Sequence, residues 1–306
     1  MTPIEAKRDW WEAVRQWARV PPATNLPRPV LSPTPAKIGL ALGGGFARGI
    51  AHVGVLRVFE KHQIPIHCIG GVSAGAIAAA AFASGSTSEE IGRVGSAMRF
   101  ADVARWCISR MGLAASERMD AFLRHLLKVY HFEQMRIPLG VVATDLNTGN
   151  PVYFKDRGEV MLPIRASCSY PGLFQPIRHD GMLLVDGAMS IEIPAGLMRS
   201  MGATRVVSVH LPMQGAKLAP NNMLQVVNRC FQIMQVHMEA EWRRQTDIVI
   251  TPDVVGMEWD SFRSAEKMIE AGENAALAVL PKIQSWLRQP EPSPGIKRRV
   301  QGLKAA

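Results

Sequence analysis

The chain has 306 residues, 47% of them hydrophobic, enough for one large core or two modest ones. Lys and Arg outnumber Asp and Glu by 35 to 26, and the formal charge of +9 favours anionic surfaces, a class that holds both membranes and nucleic acid. Nucleic acid is set aside, because no RRM, zinc-finger or helix-turn-helix pattern occurs and only three Tyr are available for stacking.

The N-terminus is charged at Glu5, Lys7, Arg8 and Asp9, where a signal peptide needs its apolar stretch, and no apolar run approaches the roughly 20 residues of a membrane span. A cytoplasmic protein that touches membranes is the expectation. Thr2-Pro3-Ile4-Glu5 reads as a helix start, with a capping Thr, Pro at the first helical position and Glu three residues after the cap. Continued to about Val20, this helix gathers Ile4, Trp10, Trp11, Val14 and Trp17 on one side, flanked by Lys7, Arg8, Arg15 and Arg19. That face suits docking on the domain or lying in a lipid interface. The prolines at 21, 22, 27, 29, 33 and 35 make an extended linker, so residues 1–36 read as an appendage.

From Lys37 the sequence alternates short apolar β-like runs with helical stretches. Strands are predicted over residues 38–42, 68–70, 139–143, 152–154, 183–185, 206–209 and 248–250. Helices are predicted over 47–61, 74–84, 88–98, 117–130, 194–201, 223–243 and 264–280. Asn147-Thr148-Gly149-Asn150 and His179-Asp180-Gly181 are turn signals for two antiparallel hairpins in an otherwise crossover-connected sheet. In the helix over 223–243, Met223, Val227, Phe231, Met234, Met238 and Trp242 recur at helical spacing and read as core. The catalytic domain is thus expected over 37–287, with a Pro-rich, basic tail over 288–306 that carries Lys297, Arg298, Arg299 and Lys304. Cys68, Cys107, Cys168 and Cys230 follow no CxxC or Cys/His metal spacing, so they read as reduced, mostly buried thiols.

The chemistry concentrates in three places. Gly71-Val72-Ser73-Ala74-Gly75 follows a predicted strand and opens an Ala-rich helix, the setting of a nucleophile elbow whose sharp turn demands small neighbours. The helix N-terminus behind Ser73 helps to stabilise negative charge on an attacked carbonyl. A second Gly-rich turn, residues 43–49, exposes main-chain N–H groups between a strand and a helix. It lacks the Lys-Ser/Thr pair of a P-loop and only approximates a dinucleotide fingerprint, which leaves an oxyanion hole as its better use. Arg48 in that turn suits either a substrate anion or support of the loop. Asp186, at the end of the apolar run Leu183-Leu184-Val185, is the candidate base, and Asp before Gly in a turn is the bland alternative. A triad would need a histidine after Asp186, for which His210 at a strand end is the candidate.

The ordered set Gly44-Gly45-Phe46-Ala47-Arg48-Gly49, Gly71 to Gly75 and Asp186-Gly187-Ala188 resembles the patatin-like phospholipase family, which includes the catalytic domain of neuropathy target esterase. Residues 143–149 and 165–174 resemble it too, and the likeness covers about residues 37–281. The resemblance implies an α/β fold, a three-layer αβα sandwich with a mostly parallel central sheet. It also implies a lipid acyl hydrolase acting on phospholipid or another lipid ester, with a Ser73–Asp186 dyad, an acyl-enzyme on Ser73 and an oxyanion hole from amides near Gly44, Gly45 and Phe46. No metal or cofactor is implied. Phe46 departs from the family, whose members usually carry Gly there, and its side chain is expected to narrow the acyl pocket or alter the loop. A lid or substrate-selecting region is expected within residues 99–130.

Overall fold

The computed structural model describes residues 36–107, 109–212, 219–257 and 264–288. The predicted N-terminal helix, the Pro-rich linker and the basic tail lie outside them. Residues Ala36–Arg288 form one compact unit.

Its centre is an eight-stranded sheet. In chain order the elements begin with β1 (Ile38–Leu42), a 3-10 turn (Phe46–Ile50), α1 (Ala51–Lys61), β2 (Ile66–Gly71), α2 (Ala74–Ser84) and α3 (Ser88–Ala97). Then come α4 (Phe100–Val103), the short strands β3 (Arg105–Trp106) and β4 (Ala114–Ala115), α5 (Arg118–Leu126), β5 (Leu139–Asp145), β6 (Pro151–Lys155) and α6 (Met161–Ser167). The chain continues through β7 (Ile177–His179), β8 (Met182–Asp186), α7 (Ala195–Ser200), β9 (Arg205–Val209), α8 (Met223–Arg244), β10 (Ile248–Ile250) and α9 (Ala265–Leu287).

Across the sheet the strands run β10-β9-β1-β2-β5-β8-β7, with β6 also paired to β5. The first five are mutually parallel, and β6, β7 and β8 join antiparallel through the two expected hairpins. Buried on both faces, the parallel strands are continuous apolar runs: every residue of β1, Ile-Gly-Leu-Ala-Leu, is buried. One face packs under α1, α2 and α9 around Leu40, Leu56, Phe59, Ile69, Ile269 and Leu280. The other packs under α7 around Val142, Ile193, Leu197, Met198 and Val206. Helices on both faces make the expected three layers.

Several boundaries differ from the sequence reading. The helix expected from 47 begins as a 3-10 turn and becomes α-helical only at Ala51. The helix expected to reach 130 stops at Leu126. The last helix runs through Pro281 to Leu287; Pro281 is exposed, and the carbonyl its missing N–H leaves open belongs to Leu277, itself on the exposed side. Helix α6 was not expected; it accommodates Pro163 because that residue sits in its first turn, where an N–H has no intrahelical partner. The apolar stripe of α8 is only partly core. Phe231 and Trp242 are buried, whereas Met223, with Val226, Ile233 and Val236 beside the stripe, is exposed. Around Asn228, Phe231 and Gln235 the inner side of α8 faces a pocket, whereas Trp242 packs into the core.

Candidate active site

Strand β2 ends at Gly71 and α2 begins at Ala74, so Ser73 occupies the tight turn between them. Its backbone is strained, with φ 54° and ψ −126°, in a region that disfavours L side chains. The turn closes only because its flanks carry no side chain: a Cβ on Gly71 would lie 2.2 Å from the Gly75 backbone, and one on Gly75 would lie 2.4 Å from the Leu42 carbonyl. The Ser73 N–H donates to the Ser167 hydroxyl at 2.8 Å, which holds the turn against α6. Only 7% of Ser73 is exposed.

Asp186 ends β8, which pairs antiparallel with β5 and sets Asp186 opposite Ala143. The carboxylate is buried and accepts from the Ala188 N–H at 2.9 Å. Burial raises its pKa to about 7, against the Ala188 N–H and the Ser73 hydroxyl, which both favour the charged form. The same hydroxyl interacts with the buried Cys168 thiol, whose pKa is raised by burial and by the Asp186 charge. Ser73 and Asp186 line one pocket together with Gly44, Gly45, Phe46, Arg48 and Ala188.

The Gly-rich loop closes a second side. A Cβ on Gly44 would stand 3.5 Å from the Ser73 Cβ, so the loop backbone runs directly past Ser73. Among the described residues the N–H groups of Gly44 and Gly45 make no protein hydrogen bond, which leaves them free to donate to an oxyanion. His52 steadies this loop: its Nε2 lies 2.8 Å from the Gly43 carbonyl oxygen, and burial pushes its pKa down to about 4, so it is neutral and donates. Arg48 is buried, donates from Nη1 to the Pro212 carbonyl at 3.1 Å and has no partner at Nε. Burial lowers its pKa.

The roof is aromatic. Phe46 meets Tyr170 edge-on at 5.6 Å, and Tyr170 stacks on Phe231 of α8 at 4.4 Å. The Tyr170 hydroxyl donates to Asn228 Oδ1 at 3.1 Å, and Asn228, Phe231 and Gln235 bring α8 over the pocket. Helix α8 thus carries side chains into the pocket, and no described residue of 99–130, where a lid or substrate-selecting region was expected, lines it. His210 does not join Ser73: its Nε2 lies 3.1 Å from Glu192 Oε1, and Glu192 Oε2 accepts from the Trp242 indole at 2.8 Å. His237 is exposed on α8. Among the described residues no cluster of His, Cys, Asp and Glu could hold a metal ion, and all four cysteines are free thiols, Cys68 and Cys168 buried, Cys230 exposed.

The family model described as patatin-like phospholipase matches residues 40–199, just over half of the chain. The chain belongs to the patatin-like phospholipase family. An uncharacterised NTE family protein of Mycobacterium tuberculosis is 32% identical over 187 residues, covering 60% of this chain and 51% of the relative. A second one from that organism is 28% identical over 272 residues, covering 79% and 46%. A protein of Mycosarcoma maydis named lysophospholipase NTE1 is 32% identical over 180 residues, covering 56% of this chain and 9% of its own. The chain thus spans about half the length, or less, of the curated relatives it matches. The crystal structure of VipD from Legionella pneumophila shares the fold, with a TM-score of 0.51 at 12% identity over 81% of this chain and 67% of that one.

Within this patatin-like domain the three motifs read from the sequence surround one pocket. Missing from that reading were Ser167, Tyr170, Asn228, Phe231 and Gln235. The first two lie in the stretch 165–174 noted for its family likeness, and the others lie on the helix read as core.

Proposed function

We propose that the protein hydrolyses carboxylic esters of lipids through Ser73 and Asp186. The observation that carries this reading is the shared pocket, in which a serine in a strained elbow faces a buried carboxylate whose pKa near 7 suits a general base. Ser73 Oγ attacks the ester carbonyl and passes its proton to Asp186. The tetrahedral oxygen takes hydrogen bonds from the Gly44 and Gly45 amides, next to the N-terminus of α2. Collapse breaks the bond to the leaving alcohol, which receives the proton from Asp186, and an acyl-enzyme remains. Water then attacks, giving its proton to Asp186, and the fatty acid departs as the proton returns to Ser73. The name of the Mycosarcoma maydis relative supports a phospholipid or lysophospholipid substrate.

A fluorophosphonate probe is expected to label Ser73, and phospholipid and p-nitrophenyl ester hydrolysis is expected in the wild type but not in Ser73→Ala or Asp186→Ala. Full activity in both variants overturns the dyad. The engagement of His210 with Glu192 supports the dyad over a triad, so His210→Ala is expected to keep most of its turnover.

Contact with an anionic bilayer is part of the same reading. The charge of +9 supports it, as does the β3–β4 hairpin, where Trp106 is 64% and Met111 46% exposed beside the exposed Arg105 and Arg110. That hairpin is bonded to the loop behind Tyr170 through Leu113 and Ala114 to the Leu173 carbonyl. Ser73→Ala protein is expected to float with phosphatidylglycerol vesicles and to lose that association with Trp106→Ala plus Met111→Ala. Equal flotation of both proteins removes the hairpin from the account. No described helix is long and apolar enough to cross a membrane.

A further inference from the structure

Helix α8 presents two different faces. Asn228, Phe231 and Gln235 look into the catalytic pocket, whose volume beneath them is about 30 Å³, room for about two water molecules. Sites that hold small molecules start at about 300 Å³, so an ester reaches Ser73 only when this roof moves. The opposite face carries Met223, Val226, Ile233 and Val236, each at least 50% exposed, with the exposed Cys230 among them. Positions 223, 226, 230 and 233 follow the spacing of a single helical side. We propose that this outer face docks on an anionic lipid bilayer and that docking swings α8 away from Ser73. The inference rests on the lipid-ester reading above and supplies the entry step for that substrate.

The fastening of α8 is uneven, as a hinge requires. Its last turns are pinned: Trp242 is buried and donates from its indole to Glu192 at 2.8 Å, the Thr246 hydroxyl bonds both the Trp242 carbonyl and the Ser208 hydroxyl, and Arg199 donates to the Gln245 carbonyl. Nearer its start Tyr170 holds it, stacked on Phe231 and bonded to Asn228. One neutral hydrogen bond and one ring stack are modest ties, and transfer of the four large apolar side chains into lipid outweighs them. Helix α8 also brings its own N-cap, with Asn222 accepting from the Gln225 N–H at 3.0 Å, so its first turn stays intact as it lifts.

Charge and position select the occupant. From Met223 to Met238 the only Asp, Glu, Lys or Arg is Arg229, a cation, and the first acidic residue of the helix is Glu239. An apolar face without acidic groups suits a surface of anionic lipid. The face also continues the bilayer contact proposed for the β3–β4 hairpin. Leu113 and Ala114 of that hairpin donate to the Leu173 carbonyl, the Leu173 N–H donates to the Tyr170 carbonyl, and Tyr170 stacks on α8, so hairpin and helix are joined in one run of contacts.

Docking is tested without turnover. Ser73→Ala protein carrying bimane on Cys230 is mixed with vesicles of ether-linked phosphatidylglycerol, which an esterase does not cleave. A blue shift of the bimane emission and its quenching by spin-labelled lipid are expected, with Cys230→Ser as the control for label elsewhere. Ile233→Glu plus Val236→Glu, both at exposed positions, is expected to abolish the shift even where the hairpin keeps the protein on the vesicles. No shift with vesicles, or an equal shift in the double variant, overturns the proposal. A shift that appears without lipid and rises with protein concentration also overturns it, in favour of a second copy of this chain on the face. Opening is read with wild-type enzyme and p-nitrophenyl butyrate, a soluble ester. With an open state about a tenth populated in water, the same vesicles raise hydrolysis about tenfold in the wild type and not in the double variant. An unchanged rate in an enzyme that does hydrolyse the ester sinks the lid. Absence of any hydrolysis fails the catalytic reading alone, and the bimane result still decides the docking face.

Discussion

The main-chain N–H of Ser73 donates to the side-chain oxygen of Ser167 at 2.8 Å, joining two residues 94 positions apart. The bond ties the strained turn of Ser73 to the end of α6, so under the proposed mechanism the geometry of attack depends on a residue that takes no part in it. Ser167→Ala leaves a buried N–H without a partner, at a cost of about 1–3 kcal/mol. A lower thermal midpoint is expected, with kcat reduced more than KM. Kinetics and unfolding on the same preparation check this, and an unchanged kcat refutes the positioning role.

In the proposed mechanism Asp186 must be charged to accept the Ser73 proton. With its pKa raised to about 7 by burial, ester hydrolysis is expected to rise through an inflection near pH 7 and to level off above it. A pH profile of kcat/KM on a neutral ester checks this. An inflection near 4, the range of an ordinary Asp, contradicts the buried-base assignment.

The same shift predicts a stability effect of opposite sense to that of a paired surface carboxylate. The folded state binds the Asp186 proton more tightly than the unfolded chain does, so stability falls as pH rises from about 4 to about 7. Asp186→Asn removes the buried charge. This variant is expected to be inactive yet more stable than the wild type at pH 8 by a few kcal/mol, with the difference closing toward pH 4. Denaturant unfolding at the two pH values decides it, and a variant no more stable at pH 8 counts against the desolvated carboxylate.

His52 acts in the other direction over an overlapping window. Burial lowers its pKa to about 4 while its ring bonds the Gly43 carbonyl, so its contribution is present above about 6.5 and is lost as pH falls toward 4. The two slopes oppose each other, and each variant is expected to expose the other. His52→Gln should flatten the acid-side loss of stability, whereas Asp186→Asn should steepen it. His52→Ala, which leaves the Gly43 carbonyl unpaired beside the oxyanion loop, is expected to lower kcat about tenfold or more. Thermal midpoints from pH 4 to 8 and kinetics at pH 8 check these outcomes, and parallel pH slopes in all three proteins would remove the linkage.

Local patterns were legible in the linear chain because their causes are local. The apolar runs of β1, β5 and β9, the small residues around Ser73 and the turns at 147–150 and 179–181 answer to steric and burial demands that act within a few residues. Those demands singled out Ser73 and the Gly-rich loop as candidates, and the family likeness set Asp186 beside them and pointed to three layers. Tertiary structure decided what faces what. The α8 stripe has the same spacing whether its partner is a core or a pocket, and only packing brought Asn228, Phe231 and Gln235 over Ser73. His210 stood in a suitable order for a triad, and only the fold paired it with Glu192. The pKa of Asp186 arises from desolvation, which is a property of the assembled solid and leaves no mark on residue order.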